Sequence, residues 1–132
     1  MNITLCPVHA VDQVWPKLRD GFQRAIDKTG GDVSILNLWQ QARSGRAFLF
    51  LAHDAEEVRG ASLWRTDQWP DGERFRCLAL YGEDMDGWIH DMRAAVKQAC
   101  GDVWIIADGR FGWPAPFPHV KKLRVLYEDR NP

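Results

Sequence analysis

The sequence lacks the residue patterns that small proteins use to form disulfide bonds or structural metal sites. It has three cysteines, Cys6, Cys77 and Cys100, an odd number without C-x-x-C spacing. A disulfide framework and a cysteine-ligated zinc site are therefore both disfavoured. The four histidines do not show metal-ligand spacing either. We expect no metal and a reducing, cytoplasmic location.

An excess of charge of one sign is also lacking. The 17 Lys and Arg residues nearly balance the 18 Asp and Glu residues, so the net charge is −1 at pH 7. This balance gives no electrostatic case for a nucleic acid or an anionic membrane as partner. No apolar run approaches the length that crosses a bilayer, and no cationic segment followed by an apolar run begins the chain. We expect a soluble protein.

Apolar and aromatic residues are abundant. Hydrophobic residues make up 45% of the 132 residues, and seven residues are Trp. Such a chain can bury one core without staples and is too apolar to be disordered. We see no repeat or linker and expect a single domain over residues 1–132.

The first 45 residues predict one strand and two helices. Residues 3–8 are typical of a short strand, and a helix follows in which Pro16 is tolerable only in the first turn. Gly30 and Gly31 end this helix. Asp32 is predicted to cap the second helix, which ends at Gly45. The apolar faces are Val14, Trp15, Leu18, Phe22 and Ile26 in the first helix, and Ile35, Leu38, Trp39 and Ala42 in the second.

From Ala47 the period changes to that of extended chain. Strands are predicted at 47–53, 58–68 and 74–81, and the turn at 69–72 joins the last two as a hairpin. A long amphipathic helix begins near Met85 and ends at Gly101, and DVWIIA then forms a parallel strand after a right-handed crossover. The last strand is LRVLYE, and GRFGWPAPFPHV before it is too rich in proline for a regular helix.

The connection between the fourth strand and the long helix, residues 82–87, is called the joint below. Joints of this kind bind phosphates in α/β proteins, because the first N–H groups of the helix are unpaired. Here it contains three carboxylates, Glu83, Asp84 and Asp86. They would oppose a diphosphate, by about 1 kcal/mol per pair at 4 Å in water, unless they point away. The alternative is that they cap the helix.

The resulting order, β-α-α-β-β-β-α-β-loop-β around a mixed α/β sheet of about six strands, resembles the fold of the Gcn5-related N-acetyltransferases (GNAT). Three segments also resemble small GNAT-like proteins of phages and prophages: GGDVSILNLWQQARSGRAFLFLA, LYGEDMDGWI and the GR-x-GW segment GRFGW. The resemblance covers most of the chain.

The resemblance implies acetyl-CoA as cofactor, held at the joint. Acetyltransferases of this superfamily carry R/Q-x-x-G-x-G/A there, and that pattern aligns with Gly82, Met85 and Gly87, of which only Gly87 matches. Leu80 and Trp88 flank the loop and complete the set expected to bind cofactor. A Cβ at Met85 restricts the backbone turn that the central glycine allows.

Acetyl transfer to an amine also needs a base and an acid. By the resemblance, Glu73 at the start of the fourth strand is the candidate base. The usual tyrosine acid is missing from residues 108–119, so Tyr81 is the candidate substitute. His53 beside Asp54 is a weaker acid-base candidate, and a plain strand-end histidine is the simpler interpretation.

The GRFGW segment offers a second kind of site. Arg110, Phe111 and Trp113 could form a flat binding platform, which Trp64 and Trp69 could extend. Alternatively, Trp113 closes the open end of the sheet.

Two functions of different classes follow from the sequence. One is an acetyl-CoA-dependent N-acetyltransferase acting on an unidentified amine of a small molecule or a protein. The other is a catalytically inactive GNAT-fold phage or prophage protein with a binding or virion-associated role. A sheet edge or the aromatic hairpin could form a homodimer, and the sequence selects neither.

Overall fold

The computed structural model describes residues 1–29 and 33–107. The described elements are β1 (Asn2–Leu5), α1 (Val11–Thr29), α2 (Ile35–Arg43), β2 (Phe48–His53), β3 (Val58–Trp69), β4 (Gly72–Gly82), α3 (Ile89–Cys100) and β5 (Trp104–Ala107). Two 3-10 turns, Val8–Ala10 and Met85–Gly87, precede α1 and α3. The predicted element order is confirmed up to β5. The predicted GRFGW loop and last strand lie outside the described residues.

One mixed sheet in the order β1-β2-β3-β4-β5 organises the described residues. The first four strands form an antiparallel meander, and β5 joins β4 in parallel after the α3 crossover. The hairpin between β3 and β4 closes tightly, with Trp69 opposite Gly72. Five strands are described where about six were expected.

The sheet has an apolar core on each face, because β2 alternates between them. Leu49 and Leu51 pack on the side of α1 and α2, together with Leu18, Phe22 and Leu38. Phe50 and Ala52 pack on the side of α3, together with Trp64, Trp88 and Met92. A strand that is apolar on both faces belongs in the interior of a sheet, and β2 has a partner strand on each side.

Three local predictions in the first 45 residues are wrong. Val8 lies in the 3-10 turn rather than in β1. Pro16 is the sixth residue of α1 and therefore lies in its second turn. Because Pro16 has no backbone N–H, the carbonyl of Asp12 receives no helical hydrogen bond from it. Asp12 and Pro16 are both exposed, so water can hydrogen-bond to that carbonyl instead. The N-cap of α2 is Ser34, whose Oγ accepts a hydrogen bond from Asn37 N at 3.1 Å.

A β-bulge interrupts the pairing of β3 with β4. Leu63 pairs with Ala79 while Trp64 pairs with Cys77, so Leu78 is an extra residue in β4. Cys77 belongs to the core beside α3, whereas Ala79 and Tyr81 belong to the core beside α1 and α2. Since successive side chains alternate between faces, the bulge is what brings Tyr81 to the side of α1.

Candidate functional site

The joint is closed by the indole of Trp88, which is 1% exposed. Gly60 and Gly82 pair across β3 and β4, and the ring lies against both. A Cβ would lie 2.5 Å from Trp88 Cζ2 at Gly60 and 2.2 Å from it at Gly82. Trp88 Nε1 also donates a hydrogen bond to the carbonyl of Glu83 at 2.8 Å. Gly82 therefore makes room for a core side chain, and the Trp88 ring has no surface left for a ligand.

The carboxylates of the joint do not cap α3, so that interpretation is wrong. The N-cap of α3 is Trp88, without a side-chain cap. Asp84 has a left-handed backbone, with φ 50° and ψ 43°, and its carbonyl accepts a hydrogen bond from Gly87 N at 2.9 Å. The side chains of Glu83, Asp84 and Asp86 are exposed. They can therefore face an approaching ligand.

Arg59 is a cation next to the joint, and carboxylates already surround it. Its Nε lies 2.8 Å from Asp54 Oδ2, and its Nη1 lies 2.8 Å from Glu57 Oε1 and 3.5 Å from Glu83 Oε2. Its carbonyl accepts a hydrogen bond from Glu83 N at 2.9 Å, which ties β3 to the joint. The guanidinium is therefore committed to three acids before any anion arrives.

The contacts around Asp54 and Arg59 shift the pKa values of both side chains. Backbone N–H groups of Glu57 and Glu56 donate to Asp54 at 2.9 and 2.8 Å. Together with Arg59 they hold the pKa of the Asp54 carboxyl well below its usual range. Asp54 in turn raises the pKa of Arg59. Both groups stay charged at neutral pH, so the turn between β2 and β3 keeps its negative charge.

One end of the described sheet is consequently acidic. The turn between β2 and β3 and the joint meet there, and within the described residues they carry six carboxylates beside the guanidinium of Arg59. We call this set of carboxylates the acidic end: Asp54, Glu56, Glu57, Glu83, Asp84 and Asp86.

Tyr81 lies next to the joint, between β4 and α1. Its ring occupies the space above Gly21, where a Cβ would lie 2.2 Å from Tyr81 Cε2, and it meets Phe22 edge-on at 5.1 Å. Burial raises the pKa of the phenol to about 12. At neutral pH this hydroxyl is protonated, so it can serve as an acid and not as a base.

Glu73 lies at the opposite end of β4, in the hairpin. Its Oε1 accepts a hydrogen bond from Gln68 Nε2 at 3.0 Å. Eight residues of extended chain separate it from Tyr81, about 26 Å at 3.3 Å per residue. An acid and a base that share a reaction must both reach the reacting atoms, so the structure does not bring this predicted pair together.

The other predicted site residues are placed as follows. Leu80 and Met85 are half-buried against the core beside α3. Gly87 is exposed, and nothing lies within 4 Å of the position of a Cβ there. Thr4 Oγ1 and His53 Nε2 lie 2.6 Å apart, so His53 is tied to β1. Arg110, Phe111 and Trp113 lie outside the described residues.

β4 pairs with β3 from Gly72 to Gly82, and its described pairing with β5 runs from Arg74 to Cys77. Cys77 lies opposite Ala107, the last described residue, so the described part of β5 ends there.

At the joint, the diphosphate of acetyl-CoA would meet the acidic end, where the guanidinium of Arg59 is already paired. The described residues at the joint do not fit the phosphates.

The same part of the chain, residues 1–29 and 33–107, contains no group of three His, Cys, Asp or Glu side chains placed to hold a metal ion. None of its helices is both long and apolar enough to cross a membrane.

Sequence reasoning missed Gly60, Arg59 and the bulge. Gly60 carried a usable signal, because an isolated glycine inside a strand often marks a close approach. The sequence carried no signal for the bulge or for the position of Arg59 beside the joint, since both result from the pairing of β3 with β4.

No protein-family model matches the sequence, and no curated protein matches it. Solved structures do match. A GCN5-related N-acetyltransferase from Ralstonia eutropha JMP134 aligns with a TM-score of 0.60 at 12% identity, over 99% of this chain and 97% of that one. A predicted acetyltransferase with acetyl-CoA from Clostridium acetobutylicum gives 0.63 at 9%, over 98% and 95%.

An aminoglycoside acetyltransferase from an uncultured soil metagenomic sample, in complex with sisomicin, aligns with a TM-score of 0.66 at 8% identity, over 99% of this chain and 96% of that one. Similarity at these identities concerns the fold alone. The chain has the GNAT fold, which is the fold of these acetyltransferases.

Proposed function

We propose that this protein is an N-acetyltransferase, active in the cytoplasm, that moves an acetyl group from an acetyl-CoA-type thioester to an amine. The GNAT fold supports the reaction class. The observation that carries the proposal is the placement of Tyr81, a protonated tyrosine next to the joint whose ring packs against Gly21 and Phe22. The amine remains unspecified and belongs to a small molecule or a protein.

The thioester supplies the activated acetyl group when it is bound. In the transfer the amine nitrogen bonds to the carbonyl carbon, the carbon–sulfur bond breaks, and the sulfur receives a proton. Tyr81 is our candidate for the donor of that proton, because its phenol is protonated at neutral pH and is positioned by Phe22 and Gly21. Its side chain is half-buried, which limits the number of positions that it can adopt. Glu73 has no part in this scheme.

The test measures thiol release from acetyl-CoA with a panel of amines, including polyamines, aminoglycosides and peptides with a free N-terminus. Tyr81→Phe should lower kcat by about a hundredfold, the usual contribution of a general acid, and leave KM unchanged. Urea unfolding at pH 7 checks that the variant is folded. Glu73→Gln should leave kcat unchanged, and a loss of kcat there would contradict the separation of the two residues.

The alternative is a catalytically inactive GNAT-fold protein that has lost cofactor binding, such as a phage or prophage component with a binding or virion-associated role. The acidic end favours it, because carboxylates occupy the place where a diphosphate would be held. Calorimetry separates the two functions. An absence of heat with acetyl-CoA and with S-acetylpantetheine at millimolar concentration would exclude the enzyme, and binding at micromolar concentration would exclude the inactive protein.

A further inference from the structure

Tyr81 lies against one face of α1. Its ring atoms Cε2, Cδ2 and Cζ lie 2.2, 2.4 and 2.5 Å from the position that a Cβ of Gly21 would take, so the phenol covers the helix at this residue. Phe22 meets the same ring edge-on, with the two centroids 5.1 Å apart. The Tyr81 hydroxyl is therefore close to the α1 side chains that lean over Gly21.

Arg24 is the charged residue of α1 that leans toward this place. It follows Gly21 by three residues, and helix residues at that spacing are neighbours, with Cβ atoms about 5–6 Å apart. Long helix side chains point toward the helix N-terminus, so the side chain of Arg24 leans back over Gly21, whereas that of Lys17 leans away. Arg24 is exposed, and in the part of the chain that the structure describes no ion pair holds its guanidinium.

Opposite charges consequently act on the Tyr81 hydroxyl from two elements. Burial has the largest effect and raises the pKa of the phenol, Arg24 on α1 lowers it, and Glu83 in the joint raises it. Arg59 on β3 is paired with acids, including Glu83, so its field is largely cancelled. An anion on the Tyr81 oxygen is therefore favoured by Arg24 and disfavoured by Glu83.

Resting on the proposed function, we propose that Arg24 is a positioning residue that stabilises the Tyr81 phenolate formed when the phenol O–H bond breaks and the proton bonds to the departing sulfur. The amine nitrogen releases one proton to water as the amide forms, and water returns one proton to the phenolate. Arg24 touches neither the thioester nor the amine in this scheme. It acts on kcat through Tyr81, and Glu83 acts on the same anion with the opposite sign.

The first experiment follows the ionisation of Tyr81 and needs no substrate. Tyrosinate absorbance is recorded within milliseconds of a jump to alkaline pH, before the chain unfolds, and the record of the matching Tyr81→Phe protein is subtracted. Arg24→Gln should raise the alkaline midpoint by about half a pH unit, the effect of one charge about 6 Å away in water. Arg24→Lys should keep the parent midpoint, and Glu83→Gln should lower it.

Arg19→Gln is the matched control for lost charge. It removes the same cation from the same helix, but Arg19 lies two residues before Gly21 and therefore on another face. Its guanidinium is exposed and lies 3.6 Å from the carboxylate of Asp20. This variant should change neither the midpoint nor kcat.

The second experiment measures acetyl transfer to the amine that the parent accepts best. Half a pH unit in the strength of the acid changes the rate of proton transfer by up to about threefold. Arg24→Gln should therefore lower kcat by up to about threefold and Glu83→Gln should raise it by up to the same factor, with KM unchanged in both. Arg24→Lys should recover the parent kcat, and urea unfolding at pH 7 checks that each variant is folded.

The two experiments separate failure of this inference from failure of the proposed function. A midpoint that Arg24→Gln leaves in place, or that Arg19→Gln raises equally, overturns the inference and leaves acetyl transfer intact. A higher KM with unchanged kcat in Arg24→Gln would make Arg24 a substrate-binding residue, which also overturns it. A parent that acetylates no amine overturns the proposed function, and the role of Arg24 in it, even where the midpoint moves as expected.

Discussion

Replacing Gly82 by alanine tests whether this glycine serves the core or a cofactor. In the structure its missing side chain leaves the space that Trp88 occupies. An added Cβ would lie 2.2 Å from Trp88 Cζ2, 2.8 Å from Cη2 and 3.2 Å from the carbonyl oxygen of Arg59. Two of these atoms belong to a ring that is 1% exposed, so the ring can move away only by displacing the core beside α3.

The expected cost comes from overpacking. Forcing an extra carbon into a filled core destabilises a protein by about 1–3 kcal/mol, and contacts as short as these place Gly82→Ala near the upper end. Trp88→Phe frees part of the space, at the loss of the hydrogen bond from Nε1 to the Glu83 carbonyl, worth about 1 kcal/mol. In that background Gly82→Ala should cost at least about 1 kcal/mol less, which is within the usual coupling of residues in contact.

Urea unfolding of the four proteins in this cycle measures the coupling. Gly87→Ala is the matched control, because it adds the same methyl group in the same loop where nothing lies within 4 Å. It should change the free energy of unfolding by no more than about 0.5 kcal/mol. If Gly82→Ala proves as mild as Gly87→Ala, or equally costly in the Trp88→Phe background, the assignment of Gly82 to the core is refuted.

Three further predictions concern single side chains. Ser34→Ala removes the N-cap of α2 and should lower the free energy of unfolding by about 1 kcal/mol, while the exposed Ser44→Ala should cost less; equal losses would deny the cap. Tyr81 has its pKa raised from 10.0 to about 12, so its contribution is complete below pH 10 and is lost as pH rises through 12. Tyr81→Phe should therefore show a smaller alkaline decline in urea unfolding, and an unchanged decline would contradict burial of the phenol. Asp54 has its pKa lowered from 3.8, so its contribution is present above about pH 4 and is lost as pH falls further. Asp54→Asn should be less stable than the parent at pH 7 and should flatten the acid decline between about pH 4 and pH 2, and a parallel decline in both proteins would disprove the Arg59 network.

The elements were predictable because they depend on local pattern. Strands predicted at 47–53, 58–68 and 74–81 agree within two residues with β2, β3 and β4. The helix predicted from Met85 is α3 preceded by a 3-10 turn. The spacing of apolar residues, every second residue in a strand and about every 3.6 residues in a helix, is visible within each segment. These predictions therefore did not require knowing which segments pack together.

The candidate site was less predictable because it depends on contacts between segments. A glycine in the joint suggests a phosphate to a reader of the sequence, yet Gly82 faces Trp88, six residues further on. Arg59 reaches the joint only because Gly60 pairs with Gly82. Glu73 and Tyr81 lie on one strand, and only the strand geometry separates them.

Because Leu78 is an extra residue in β4, the number of residues in this strand decides which face each later side chain points to, whatever those side chains are. Substitutions can replace side chains along a strand and leave its two faces as they were, whereas deletion of one residue exchanges the faces from that point onward. In descendants of this chain, insertions and deletions in β4 should be much rarer than replacements.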